Sequence, residues 1–198
     1  DLSLPPFAVF FKNKSHFLLS ASPERYLKKE GDLLISQPIK GTAARSSNAT
    51  EDLNLKNNLL ADPKERSENV MIVDLVRNDL SRIAQKGSVL VEELHAIYSF
   101  KQVHHLISTI KAKLRPEISA VDAICASYPM GSMTGAPKIS AMKIIENLEF
   151  SKRGLYSGSV GYFSPDGNFD FNVVIRSILY NAETVSYTHL TLPTSYAV

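Results

Sequence analysis

The chain has 198 residues, which at roughly 150 residues per domain suggests one large domain with a real core. Hydrophobic residues make up 44% and charged residues 21%, with 9 Gly and 10 Pro, a balance that speaks against disorder and fibrous repeats. With 22 Lys and Arg against 20 acids, the formal net charge of +2 provides no long-range field for nucleic acid or an anionic membrane, so any anion is bound by a local site.

Phe7 to Lys12 and His16 to Ser20 are rich in Phe, Val and Leu around a polar break, which predicts a strand pair, and Asp32 to Ile39 predicts another short strand. From Thr50 to Ala61 the pattern is helical. Asp62, Pro63 and Glu65 then supply a cap, a first-turn proline and a capping-box carboxylate, so a helix is expected from Pro63 to about Leu80. Val89 to Glu93 and Val103 to Leu114 read as extended, because β-branched residues recur with no capping signal. Ala120 to Tyr128 reads as a helix ending at Pro129, and Pro137 opens a further helix to about Leu148. Gly158 to Phe163 and Phe169 to Tyr180 are strand patterns around Ser164-Pro165-Asp166-Gly167-Asn168, a hairpin turn.

Residues from Val185 to Val198 change character and hold no Asp, Glu, Lys or Arg, so they are expected to be an unmatched tail, foreign or misread. No apolar run approaches the ~18 residues of a membrane-spanning helix, and the lone Cys125 forms no intrachain disulfide, so cytoplasm is the default expectation. The first residues lack the order of a signal peptide, and a start at Asp1 reads as a piece of something longer.

Several side chains are candidates for chemistry. Glu24 follows Ser22-Pro23, and Lys40 stands in Pro38-Ile39-Lys40-Gly41-Thr42 where a strand meets a turn; the pair is either exposed and solvated or two reactive groups brought together. Glu65 and Glu68 share one face of the predicted helix near its N-terminus, either as complements to the helix dipole or as a magnesium site. Asp74, Arg77, Asn78 and Asp79 are expected to form a structural network. Strand alternation sends His104 and His105 to opposite faces, so at most one faces a given pocket. Gly131 to Lys138 is a small-residue loop entering a helix, an anion nest or an ordinary cap, and not a P-loop, because only three residues separate its glycines. Arg176, flanked by Ile175 and Ser177, is a candidate clamp for a carboxylate of substrate or protein.

Ser22 to Arg25, Pro38 to Thr42, the run KERSENVMIVDLVRNDL from Lys64 to Leu80, HHLIST from His104 to Thr109, Gly131 to Lys138 and Gly158 to Tyr162 together resemble the chorismate-utilising family. That family comprises anthranilate synthase large subunits, aminodeoxychorismate synthase component I, and isochorismate and salicylate synthases. The resemblance spans residues 1 to 184 and implies an α+β fold, an incomplete, mostly antiparallel β-sandwich with packed helices. Lys at position 40 is similar to the aminodeoxychorismate branch, where anthranilate synthases typically carry Ala.

The resemblance then implies amination of chorismate at C4 to 4-amino-4-deoxychorismate, for 4-aminobenzoate and folate synthesis. Ammonia would come from a glutamine amidotransferase subunit, with no nucleic acid or membrane partner. It further implies Lys40 as nucleophile, Glu24 as an acid whose pKa must be raised by burial, and His105 rather than His104 as the active-site histidine. Glu68, supported by Glu65, would bind Mg2+. Tyr162 and Arg176 would hold the enolpyruvyl carboxylate, and Gly41, Thr42, Thr134, Gly135 and Ala136 would line the pocket. The family's N-terminal portion and its C-terminal second magnesium ligand are not recognised in the chain. Anthranilate synthase component I, or an inactive fragment of such an enzyme, are the alternatives.

Overall fold

A computed structural model of the protein describes residues 4–190, the last five by backbone alone. Two antiparallel sheets and four α-helices make a mixed α+β fold. The smaller sheet has the order β1 (Phe7–Asn13), β2 (His16–Ser22), β10 (Ser177–Asn181), β11 (Ser186–Leu190). The larger is centred on β7 (Val103–Lys113), whose one edge takes β6 (Leu90–Ser99). Along the other edge run β4 (Leu33–Gln37) and β5 (Ile39–Ala44), end to end. Pro38 separates them because it has no N–H for the ladder, while its carbonyl still accepts from Ser108 N–H at 3.3 Å. Outward from β4 follow β3 (Arg25–Glu30), β9 (Phe169–Asn172) and β8 (Gly161–Phe163).

The chain changes sheets twice. Pro23 and Glu24 carry it from β2 to β3, and residues 173–176 carry it from β9 to β10. The single strand expected over Phe169 to Tyr180 is therefore two strands in different sheets. Val173 and Val174 are fully buried at the corner, and Arg176 turns the chain with a left-handed φ of +50°. An alternation pattern carries no signal for a corner whose residues are all apolar. β3 also escaped the sequence reading, because Arg-Tyr-Leu-Lys-Lys-Glu is polar, yet its Tyr26 and Leu27 are buried. β6 extends to Ser99, beyond the expected Glu93, by absorbing a register shift around His95, itself at φ +57°. Residues 186–190 of the expected tail form β11, paired with β10; residues 191–198 lie outside the described part.

Helix α1 (Ala49–Ala61) is capped by Asn48, and α2 (Pro63–Ser81) by Asp62, whose side chain accepts from Lys64 N–H and Glu65 N–H. On α2 the residues Asn69, Ile72, Val73, Val76 and Leu80 are buried at helical spacing, and the four apolar ones pack on the core under the larger sheet. Burying each of these aliphatic side chains stabilises the contact by about 1.5–3 kcal/mol, which fixes the face carrying Glu65 and Glu68 relative to β5. α3 (Ala120–Ser127) leads to a 3-10 turn, Gly131–Met133, and then α4 (Lys138–Leu148), with Pro137 in the capping position instead of the first turn. The polar residues expected to form one network on α2 divide: Arg77 pairs with Asp74 on the surface, whereas Asp79 binds Lys138 at 2.6 Å. No described helix is long and apolar enough to cross a membrane.

Candidate active site

Glu24 and Arg176 lie where the chain changes sheets, and Lys40, Gly41, Thr42, Glu65, Glu68 and His105 gather nearby on β5, α2 and β7. Glu24 lies in the first crossing and is only 5% exposed. Its neighbour Arg25 is anchored from β3 to β9 by two bonds to Asp170, both 3.0 Å, and donates to Gln37 on β4. That bidentate fork fixes the backbone from which Glu24 projects. The Glu24 carboxyl accepts from the Ser132 hydroxyl and from Ile39 N–H, and Lys40 and Arg176 bring positive charge near it. Burial nevertheless outweighs these favourable contacts, and its pKa is pushed up to about 7. Behind it a cavity of about 20 Å³, lined in part by Tyr26, Ser36, Asp79 and Ser127, has room for one water.

Lys40 and Gly41 sit in an irregularity of β5, where pairing with β7 slips between Ile39 and Thr42. Gly41 adopts φ +89°, and a Cβ there would meet Leu59 at 3.0 Å, a Glu65 carboxylate oxygen at 3.2 Å and Leu106 at 3.3 Å. A side chain is thus strained by the backbone conformation and tightly crowded by its neighbours. The bulge aims Lys40 at α2, where Nζ pairs with Glu68 Oε2 at 3.1 Å. Thr42, past the bulge, lies 2.9 Å through Oγ1 from Nδ1 of His105. His105 is buried, and desolvation together with the charge of Arg176 lowers its pKa to about 4, against hydrogen bonding to the Gly41 backbone, so the ring is neutral near pH 7. Phe100 packs edge-on against it at 5.5 Å.

The two histidines do point to opposite faces, since His104 bonds to Ser99 and Asp52 instead. Arg176, at the second crossing, accepts Ala21 N–H at its carbonyl, while its guanidinium makes no ion pair or side-chain hydrogen bond among the described residues. Desolvation lowers its pKa and the nearby Glu24 opposes that. An Arg in such a place is a ready partner for an anionic ligand.

Tyr162 is exposed on β8 opposite Asp170, and no described contact joins it to the other candidates. In the Gly131 to Lys138 loop, the Thr134 hydroxyl donates to the carbonyls of Met130 and Gly131, both at 3.3 Å, and Gly135 and Ala136 lead on toward α4. The loop residue that reaches Glu24 is Ser132, which sequence reasoning did not single out. The signal for it was indirect: a buried carboxyl needs a donor, and the loop offers hydroxyls. Lys138 is committed to Asp79 and to the carbonyls of Ser127 and Pro129.

Glu65 and Glu68 are the two carboxylates facing β5, one beside Gly41 and one on Lys40. Among the described residues no group of three or more His, Cys, Asp or Glu is placed to hold a metal. Two carboxylates still fit the needs of Mg2+, a hard ion that commonly takes one or two and completes its shell with water and an anionic substrate.

The sequence matches the family model described as chorismate binding enzyme over residues 3–189. It is 47% identical over 184 residues to a chloroplastic aminodeoxychorismate synthase of Arabidopsis thaliana, covering 91% of this chain and 20% of the relative. It is also 47% identical over 160 residues to an anthranilate synthase component 1 of Haloarcula marismortui, covering 81% of this chain and 30% of the relative. Among solved structures, anthranilate synthase component I from Streptococcus pneumoniae superposes with a TM-score of 0.78 at 38% identity, covering 88% of this chain and 38% of that one. The chain therefore spans well under half the length of these relatives.

Proposed function

Because the chain belongs to the chorismate binding enzyme family, we propose that it carries the amination chemistry that converts chorismate at C4 to 4-amino-4-deoxychorismate. The observation that carries this reading is an amine and a buried acid at one site: Lys40 lies within electrostatic reach of Glu24, whose pKa of about 7 leaves it partly protonated at neutral pH. Replacing a ring hydroxyl by an amine on the same face is most readily done by two displacements, and the first requires a nucleophile from the protein.

In the proposed sequence, Lys40 first gives up a proton to solvent; its amine then bonds to C2 of chorismate, both conjugated ring double bonds shift, and the C4–oxygen bond breaks. Glu24 gives its proton to that oxygen, which leaves as water. Ammonia then bonds to C4, both double bonds return, the C2–nitrogen bond breaks to restore Lys40, and the proton shed by the new amine returns to Glu24. Arg176 binds a substrate carboxylate, and His105, neutral and fixed by Thr42, faces the substrate as a hydrogen-bonding group. Glu65 and Glu68 would hold Mg2+, which when bound supplies positive charge against the ring carboxylate. A glutamine amidotransferase subunit would be the source of ammonia. We assign no step to Tyr162, Thr134, Gly135 or Ala136. The alternative, an anthranilate-forming enzyme, is favoured by the equally similar Haloarcula relative and differs in product.

The test is mass spectrometry of the 198-residue chain incubated with chorismate and Mg2+, first without ammonium salt and then with it. The expected result is an adduct on Lys40 of chorismate less one water, discharged by ammonium to 4-amino-4-deoxychorismate and absent in Lys40→Ala. Anthranilate as product, or no adduct at all, overturns the proposal.

A further inference from the structure

We propose that Arg45, Asp52 and His104 form a positioning unit that holds the two groups flanking His105, so that this imidazole stays dry and aligned with Thr42. The inference rests on the reading of His105 as a site residue, but its test needs neither chorismate nor turnover.

The unit lies behind the site, on the face of β7 opposite His105. Asp52, in the first turn of α1, accepts from Arg45 Nε at 2.8 Å and from Ser46 N–H at 3.0 Å, and lies 3.1 Å from Nε2 of His104. The Arg45 bond above all holds its carboxyl below the usual carboxylate range. His104 is 1% exposed, and its other ring nitrogen is 2.8 Å from Ser99 Oγ. Arg45 makes the connection to the site. It follows Thr42 by three residues at the end of β5, donates from Nη1 to the Phe100 carbonyl at 2.8 Å, and donates its own N–H to the Gln102 carbonyl at 3.1 Å. Phe100 is the ring packed edge-on against His105. One guanidinium, held by one carboxylate, therefore ties the strand bearing Thr42 to the turn bearing Phe100.

The groups that face His105 are Thr42 and the Gly41 backbone from β5, Phe100 from the turn, Tyr98 as its register partner on β6, and Arg176 as the charged neighbour. Tyr98 gives its hydroxyl to Glu93. No hydrogen bond or ion pair joins Arg45, Asp52 or His104 to Lys40, Glu24 or Arg176 among the described residues, so the unit acts through other groups and not on a ligand.

The sign of the effect separates positioning from a simple field. Removing the negative charge of Asp52 acts through space to lower the proton affinity of His105. Loosening Phe100 admits water to the ring and raises it. The experiment is an NMR titration of the histidine ring signals in the 198-residue chain, with His105→Gln to assign the resonance. In Asp52→Asn the His105 midpoint is expected to rise by about one pH unit toward the ordinary imidazole value of ~6.5, and Asp52→Glu to restore it. Phe100→Ala should raise it as well. A midpoint in folded Asp52→Asn that is unchanged or lower overturns the proposal; should that variant fail to fold, Arg45→Lys, which keeps the charge but loses the fork, decides by the same criterion. A wild-type midpoint near 6.5 would overturn the buried site itself, a different failure.

Discussion

Replacing Glu24 by Gln removes the titrating group while keeping a carbonyl oxygen for Ile39 N–H, and so isolates what the buried charge costs the fold. In the folded chain this carboxyl is raised from 4.5 to about 7. Between those values the folded state holds a proton that the unfolded chain has released. The associated stability is therefore complete below pH 4.5 and is lost as pH rises through 7. At about 1.4 kcal/mol for each tenfold change in proton affinity, the loss is about 3 kcal/mol. His105 works in the opposite sense. Lowered from 6.5 to about 4, it contributes stability that is complete above pH 6.5 and lost as pH falls through 4, again about 3 kcal/mol. The two slopes oppose each other between pH 4.5 and 6.5, so the wild-type profile conceals both. The difference between Glu24→Gln and wild type cancels the histidine. Urea midpoints measured from pH 5 to pH 8 should show the variant gaining about 2.5 kcal/mol relative to wild type across that range, the rest of the change lying below pH 5. A flat difference curve would mean that the carboxyl is solvated, and would remove the physical basis for treating it as an acid at neutral pH.

Gly41→Ala should destabilise the chain by about 2 kcal/mol, because φ +89° strains any L side chain and the new methyl meets Leu59 and Glu65; thermal melts should show a loss of roughly 4–8 °C. Lys138→Met leaves Asp79 buried without its ammonium partner and should cost about 3 kcal/mol at pH 8, less at pH 5 as the carboxyl takes up a proton. Pairing it with Asp79→Asn should return part of that loss in urea unfolding, as a double-mutant cycle would register.

What was legible in the sequence is what local signals encode. Asp62 and Pro63 mark the start of α2 because capping is a contact among near neighbours, and the helix indeed begins at Pro63, while the Glu65 carboxylate lies beside Gly41 instead of closing a capping box. The separation of His104 from His105 follows from the pleat alone. Non-local features left no such trace. β3 is held in place by β9 and by the fork from Arg25 to Asp170, neither of which a window around Lys28 can contain. Ser132 reaches Glu24 across more than a hundred residues of chain. The bulge at Lys40 and Gly41 is visible as a Gly beside a Lys, but its direction toward α2 depends on pairing with β7.

The placement of Glu24 and Arg176 has a single structural cause. A residue inside a strand sends its side chain to one face of one sheet, whereas at the points where the chain leaves one sheet for the other Glu24 is buried between them and Arg176 is exposed beside it. Here the two crossings are stitched together by backbone bonds, Ala21 N–H to the Arg176 carbonyl and Val173 N–H to the Glu24 carbonyl, both 3.1 Å. Serine hydroxyls complete the pairing of the main chain there: Ser22 Oγ accepts from Glu24 N–H at 3.2 Å, and Ser177 Oγ donates to the Ile175 carbonyl at 2.9 Å. That leaves the carboxyl and the guanidinium close enough to influence each other's protonation, yet with no ion pair between them. Had they paired directly, Glu24 would be held as a carboxylate and Arg176 would be occupied. The spacing between two stitched corners therefore keeps a buried acid protonatable beside an exposed cation that is unpaired among the described residues, which is the condition that the proposed removal of a hydroxyl from an anionic ring requires.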